Sequence, residues 1–406
     1  MADFQQRGPI ATLPRLVVKD WARRERELVT YAKNKPVAVL IPCLAKEMGS
    51  DSLDRICREL NEVAFVDLVV ISLDQASSAE FRQAQEYFSR MRHTTALVWT
   101  DNPQLNGLLS QVEESIGRKL TRGKGKAVWL GLGFLLAQSK AYTIALHDAD
   151  ILTYSRDLLA NLVTPLLHPS LEFDFTKAYY PRFSSALYGR VTRLFIRPLL
   201  QALGDVVGRH PYLSYLAAFR YPLAGEVAMI MSLARWIRIP GDWGLEVGVL
   251  FEILRHRSPR RICQVDVADQ FDHKHQELSP TDATRGLHRM AVDIAKHLLR
   301  TFSAAGVVLN EGAFKSMRVA YQRYAEDAVS DSFAVATFNG LAYDRHGEEL
   351  AVETFAKALA EGIEEFLADP LGTPPLPHWE RVVSVLPGVP GELIKIVEES
   401  GGLLYQ

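Results

Sequence analysis

Cysteine is nearly missing from this chain: among 406 residues there are three, Cys43, Cys57 and Cys263. Their odd number and wide spacing argue against a disulfide framework and against a CxxC metal site, and they fit a reducing compartment. Long apolar runs are missing too. None approaches the roughly 18 residues that a bilayer-spanning helix needs, and the opening stretch MADFQQRGPIATLPRL has no apolar core of signal-peptide length. The expectation is a cytoplasmic protein without a membrane partner. Nor is there an excess of one charge. Lys and Arg number 46 against 48 Asp and Glu, a net of −2, without the basic excess of a chain that lives on nucleic acid. Two phosphate-binding signatures are also absent. No GxGxxG follows the first apolar run, and GRKLTRGKGKAV (117–128) lacks the GxxxxGK[ST] spacing, so neither a dinucleotide turn nor a P-loop is supported. Internal repeats and low-complexity tracts are absent as well.

What is present is a core-forming composition, 48% hydrophobic and 23% charged, close to the globular norm. From about 36 to 150 short apolar runs alternate with helical spacing. PVAVLIP (36–42), FVDLVVISLD (65–74), TTALVWT (94–100) and YTIALHD (142–148) read as strands. SLDRICRELNEV, SSAEFRQAQEYFSRM and KAVWLGLGFLLAQS read as helices. That alternation implies βαβ units and a mostly parallel sheet with helices on both faces, so the fold class is α/β. The stretch from about 171 to 278 mixes strand-like runs with helical segments such as RVTRLFIRPLLQAL: RRICQVDVA reads as a strand, and YPLAGEVAM (221–229) as a small-residue turn into a helix. From about 280 helix dominates, and packing or dimerisation is its plain reading. The expected organisation is an N-terminal helical or irregular segment (1–35), a nucleotide-sugar-binding half (36–150), an acceptor-binding half (151–280) and a helical extension (281–406).

Chemistry concentrates where apolar runs end. TIALHDADI closes a strand with Asp148 and Asp150, one alanine apart. Two close carboxylates repel, and one takes up a proton unless a cation sits near. A hard divalent ion removes the conflict, accepts oxygen ligands and bridges to a diphosphate. A bare DxD also fits a turn or a helix cap; its position beyond a strand's carboxyl end, where ligands bind on such sheets, favours the functional reading. Gly123-Lys124-Gly125-Lys126 opens a helix, which gathers cations and free backbone donors. FDHKHQ (271–276) offers His273 or His275 as a metal ligand. LYGRVTRL (187–194) puts Arg190 at a helix start, which suits a phosphate or a carboxylate. GDWGLEVGVLFEIL (241–254) puts Glu246 in the first turn of an apolar helix, where it favours the dipole or bonds sugar hydroxyls.

The segments IPCLAKE, GKGKA, HDAD, GRVTRL, PLAGE, GLEVG and DHKH occur in that order over about 36–280. Together they resemble the retaining glucosyl-3-phosphoglycerate synthases, nucleotide-sugar glycosyltransferases of the A-type fold. The resemblance implies glucose transfer from UDP-glucose to the 2-hydroxyl of 3-phosphoglycerate with a divalent metal, Mg²⁺ or Mn²⁺, and a homodimer. The product would be a precursor of the compatible solute glucosylglycerate. By motif, Pro42, Leu44 and Glu47 would lie at the uridine pocket, with Ser72 near the base and Lys124 at the nucleotide. Asp150 and His273 would hold the metal, and Asp148 would contact the ribose or sugar. Leu223, Ala224, Gly225 and Glu246 would face the donor glucose. Gly189, Arg190, Val191 and Thr192, with His275, would hold the acceptor. Asp148, Asp150, Glu246 and Arg190 are the residues expected to carry the reaction. Alternatives are a related transferase using GDP-mannose or ADP-glucose, of the mannosyl-3-phosphoglycerate synthase type, a DxD phosphatase, and a non-catalytic nucleotide-binding scaffold. DADILT departs from the phosphatase pattern, with Leu152 where Thr or Val is expected.

Overall fold

The computed structural model of the protein describes residues 8–16, 20–273 and 286–405. Among them nine strands form one sheet: β1 Ala11–Leu13, β2 Val37–Leu44, β3 Leu68–Asp74, β4 Thr95–Trp99, β5 Thr143–Leu146, β6 Phe175–Tyr179, β7 Val227–Ile230, β8 Ile262–Asp266 and β9 Leu403–Leu404. Their order is β1-β8-β6-β7-β5-β2-β3-β4-β9. Neighbours run parallel except β7, antiparallel to both β5 and β6, and β9, antiparallel to β4. Strands from all four segments of the chain join this sheet, β1 at one edge and β9 at the other.

Helices α1 Trp21–Ala32, α2 Asp51–Asn61, α3 Ser78–Phe88, α4 Pro103–Ile116 and α5 Lys124–Gln138 alternate with the first strands. Then come α6 Arg156–Leu167, a π-helical stretch Val191–Ile196 running into α7 Arg197–Val207, α8 Pro211–Ala217, α9 Met231–Ala234 and α10 Leu245–His256. α11 Gly286–Ala304, α12 Glu311–Phe338, α13 Arg345–Ala368, α14 Trp379–Val385 and α15 Val389–Glu399 fill the last third. The central strands are covered on both faces, which is why β2 is buried almost throughout and reads as a continuous apolar run. α5 is apolar around its circumference because it lies between the sheet and the C-terminal segment. The Trp129 and Trp379 rings stack at 4.3 Å, and each indole N–H donates to a backbone carbonyl, Pro377 and Trp129 respectively. None of the helices among the described residues is long and apolar enough to cross a membrane.

Several elements differ from the sequence reading: the N-terminal segment and the helical extension each supply an edge strand, β1 and β9. YPLAGEVAM turns into strand β7 rather than a helix, because the short buried run VAMI is inserted between β5 and β6. Four apolar residues carry no usable period, so only their neighbours decide. α4 was not anticipated either, although its punctuation is conventional. The Asn102 side chain accepts from the Gln104 and Leu105 amides, Pro103 occupies the first turn, and Gly117 ends it in the left-handed region.

Candidate active site

Segments following β2, β3, β5, β6 and β8, and the segment preceding the antiparallel β7, converge on a cavity of about 800 Å³. All these ends meet because β7 runs backwards, so its entry stands beside the exits of its neighbours. Continuing the β5–β7 register beyond Leu146↔Val227 sets Gly225 opposite Asp148. A Cβ at Gly225 would come within 2.4 Å of the Asp148 carboxylate, so the close approach needs glycine.

At this end of the cavity Lys124 Nζ lies 2.8 Å from Asp148 Oδ1 and 3.1 Å from Glu246 Oε1. No side chain caps the start of α5 there, which leaves its first amides as donors. Burial disfavours the lysine charge, but the two carboxylates outweigh it and Lys124 titrates above its ordinary range. Asp148 is lowered, because Lys124 outweighs the effect of burial. Asp150 goes the other way. Burial, then the neighbouring Asp148 charge, pushes its carboxyl up to about 7. The acid pair thus divides, one member ionised against a lysine and the other short of positive charge. Below it, Lys177 is fully buried with Nζ 2.6 Å from the Ala224 carbonyl, and burial lowers it to about 8. Glu226, raised to about 7 by burial and then by Asp148, accepts from Tyr180 Oη at 2.7 Å. His147 is a buried, neutral core residue, its ring edge-on to Tyr154.

His273 reaches the acid pair through a short antiparallel bridge. Ile151 pairs with His273, the Leu152 amide donates to the Asp272 carbonyl at 2.9 Å, and the Asp272 amide donates to Thr153 Oγ1 at 3.0 Å. His273 Nδ1 stands 3.9 Å from Asp150 Oδ2. Among the described residues no group of three or more His, Cys, Asp or Glu side chains forms a ready-made cage. A carboxylate oxygen short of positive charge and an imidazole nitrogen 3.9 Å from it nonetheless fit a divalent ion, which on a nucleotide takes its remaining ligands from phosphate and water. His275 lies outside the described residues.

Another part of the cavity wall is cationic and aromatic. Gly189 adopts φ +75° and turns the chain into the π-helical stretch, whose entry is Arg190. Arg190 Nε donates to Glu348 Oε1 at 2.7 Å. Thr192 is buried with its hydroxyl unpartnered, and Val191 lies beside it in the wall. Arg182 lines the same wall, donating to Tyr221 Oη at 3.1 Å.

Pro42, Leu44, Glu47, Lys124, Asp148, Asp150, Gly189, Arg190, Val191, Thr192, Leu223, Glu246 and His273 therefore border one cavity. Glu47 accepts from the Leu44 amide at 2.9 Å, which fixes the turn after β2. Ala224 and Gly225 lie just behind, against Lys124 and Glu246, around a space of about 30 Å³. Ser72 does not reach the cavity. It is buried under α5, where its hydroxyl would meet a side chain at Gly131, and β3 meets the cavity two residues later, at Asp74 and Gln75. The sequence reading also missed Arg182, Tyr188, Tyr221, Tyr343 and Glu348. Arg182 sits in a loop between recognised motifs, Tyr188 and Tyr221 lie inside the quoted stretches LYGRVTRL and YPLAGEVAM without being singled out, and Tyr343 and Glu348 come from the C-terminal extension.

No family model matches the chain. The chain is 41% identical over 399 residues to the glucosyl-3-phosphoglycerate synthase of Persephonella marina, covering 98% of this chain and 99% of that one. It is 38% identical over 360 residues to the glucosyl-3-phosphoglycerate synthase of Methanococcoides burtonii, 87% of each. Among solved structures it is similar to the Mycobacterium tuberculosis glucosyl-3-phosphoglycerate synthase in complex with Mn²⁺, UDP and phosphoglyceric acid. There the TM-score is 0.51 at 22% identity, covering 72% of this chain and 86% of that one. At that identity the likeness speaks for the A-type fold alone.

Proposed function

The chain belongs to the glucosyl-3-phosphoglycerate synthase family, and from that membership we propose that its cavity moves glucose from UDP-glucose to the 2-hydroxyl of 3-phosphoglycerate with retention. One observation carries the reading beyond membership: a single cavity is lined both by an acid pair with its lysine and histidine and by Arg182 and Arg190. A nucleotide diphosphate needs the first, an anionic acceptor the second.

Each residue then has a task. Lys124 keeps Asp148 ionised and ties it to Glu246, so two carboxylates stand ready to accept from sugar hydroxyls. Leu223, Ala224 and Gly225 shape the floor beneath the glucose, with Lys177 holding the Ala224 carbonyl. Pro42, Leu44 and Glu47 border the nucleoside end. Asp150 and His273 would hold a divalent ion, Mg²⁺ or Mn²⁺, which when bound offsets the charge of the leaving diphosphate. Arg190, at a helix entry, and Arg182 take the acceptor's anionic groups, so its 2-hydroxyl approaches in near-attack geometry. In the retaining step the bond from the anomeric carbon to the phosphate oxygen breaks and a bond to the acceptor oxygen forms on the same face. The hydroxyl proton passes to the departing phosphate oxygen, so no protein nucleophile is required. The division into a donor half (36–150) and an acceptor half (151–280), the homodimer and the cytoplasmic setting are parts of the same proposal.

The test is a matrix of UDP-glucose, ADP-glucose and GDP-mannose against 3-phosphoglycerate and glycerate, with product mass and anomeric configuration read by NMR. UDP-glucose with 3-phosphoglycerate should give one α-linked product. A β-linked product, preference for GDP-mannose, or phosphate release without sugar nucleotide would each overturn the reading.

A further inference from the structure

The geometry points to the C-terminal helical hairpin as the part that completes the acceptor end of the cavity, with Glu348 as the residue that positions Arg190. The inference rests on the functional reading above and deepens it, because nothing in the transfer itself asks for a carboxylate beside an anion-binding arginine.

Glu348 lies in the first turn of α13 and is 3% exposed. One of its oxygens accepts from Arg190 Nε at 2.7 Å and the other from Arg193 Nη1 at 2.8 Å. Arg193 is fastened further, donating to Ser332 Oγ on α12 at 2.7 Å and to the Tyr188 carbonyl at 2.9 Å. The two arginines are not equivalent. The Arg193 side chain is 17% exposed and Arg190 is 36% exposed at the cavity wall. One buried carboxylate between two guanidinium groups leaves one net positive charge, and the exposed, cavity-facing partner is Arg190.

The contact Glu348 makes on Arg190 is at Nε, the inner nitrogen of the fork. Holding it there fixes the plane of the guanidinium and leaves the outer nitrogens for a bidentate anion. A long arginine side chain otherwise samples many rotamers, and fixing it beforehand lowers the entropy cost of ligand binding. The hairpin is anchored independently of this ion pair. The Ala342 amide donates to the Ser185 carbonyl at 2.9 Å, and Tyr321 Oη donates to the Leu194 carbonyl at 2.9 Å. The extension therefore grips both sides of the Gly189–Arg190 turn. Packing alone would not explain a buried carboxylate aimed at that turn.

The test is kinetics and binding on the full chain with Glu348→Gln, which keeps shape and removes charge, and with Glu348→Asp, which keeps charge but draws it back. Glu348→Gln should raise KM for 3-phosphoglycerate about tenfold while kcat at saturation changes less than about threefold, the signature of lost ligand positioning. Glu348→Asp should move KM in the same direction by less. UDP binding in Mn²⁺ should stay as in the wild type. On an Arg190→Ala background, Glu348→Gln should add nothing, because its effect passes through Arg190. Multiplicative losses in the double variant, or a fall in kcat with KM unmoved, would overturn the inference, as would unchanged KM in both variants. Calorimetric titration of 3-phosphoglycerate without sugar nucleotide separates the two levels. Wild-type binding undiminished by Glu348→Gln overturns this inference alone, whereas no wild-type binding overturns the functional reading with it.

Discussion

The two ends of the cavity meet the same problem with opposite means. On the proposed function both face anions, yet the proposed donor end is rich in acids and the proposed acceptor end in arginines. At the proposed donor end Asp148 and Glu246 share one lysine, and Asp150 beside them is left short of positive charge. At the proposed acceptor end Arg182 and Arg190 line the cavity, and the counter-charge of Arg190, Glu348, is almost wholly buried in the same wall. On the proposed function phosphate at the donor end must leave during the reaction, so its charge is best met by an exchangeable ion. Phosphate at the acceptor end only anchors the molecule, so fixed guanidinium groups suffice.

Breaking the donor end should cost most. Asp150→Ala, or excess chelator on the wild type, should lower kcat by about three orders of magnitude or more with the thermal unfolding profile intact. Full turnover in chelator would erase the proposed difference between the two ends. Lys124→Met should follow closely. It leaves the half-buried Asp148 and Glu246 without their shared cation, so a loss of roughly 10²-fold in kcat with weaker UDP-glucose binding is expected. Unchanged donor binding would mean that the lysine only fills space.

Breaking the acceptor end should be milder and confined to one substrate. Arg190→Ala should raise KM for 3-phosphoglycerate about 10- to 100-fold without moving UDP affinity. Equal losses for both ligands would make Arg190 structural. Arg182→Gln sharpens the comparison. If Arg182 meets the carboxylate, the variant should lose more on 3-phosphoglycerate than on glycerol 3-phosphate, by roughly tenfold.

The smallest effect is one of pH, and it should appear at the donor end alone. Asp150 is pushed up to about 7 from its ordinary 3.8. The metal-free fold therefore prefers the protonated acid, and this group costs it stability as pH rises between those values. An ion requires the ionised form, so Mn²⁺ affinity should fall on acidification below about pH 7, by up to about tenfold per unit. Titrations at pH 8 and 6 check this. Binding of 3-phosphoglycerate without metal should change much less over the same range, and a parallel change at both ends would remove the distinction.

By itself the sequence determined the parallel α/β core and most of the acid-rich part of the cavity wall. Period-2 and continuous apolar runs mark β2 to β5, and the groups placed by strand ends, Pro42, Leu44, Asp148 and Asp150, sit within a few residues of those runs. The helix starts at Lys124 and Glu246 were legible for the same reason, since a helix N-terminus is a local signal. Tertiary structure alone decided the rest. Strand β7 exists because four apolar residues find β5 and β6 on either side. His273 reaches Asp150 through a bridge to Ile151, more than a hundred positions away in the chain. Ser72 was expected at the ligand and is buried because α5 crosses above it. Glu348 carries no motif at all: a glutamate in the first turn of a C-terminal helix reads as an ordinary dipole partner. Its meeting with Arg190 and Arg193 follows from how α12 and α13 pack against the helix at 191–207. Local patterns record the free energy of neighbours in sequence; a contact across 158 positions is recorded only in the packing that brings the two side chains together.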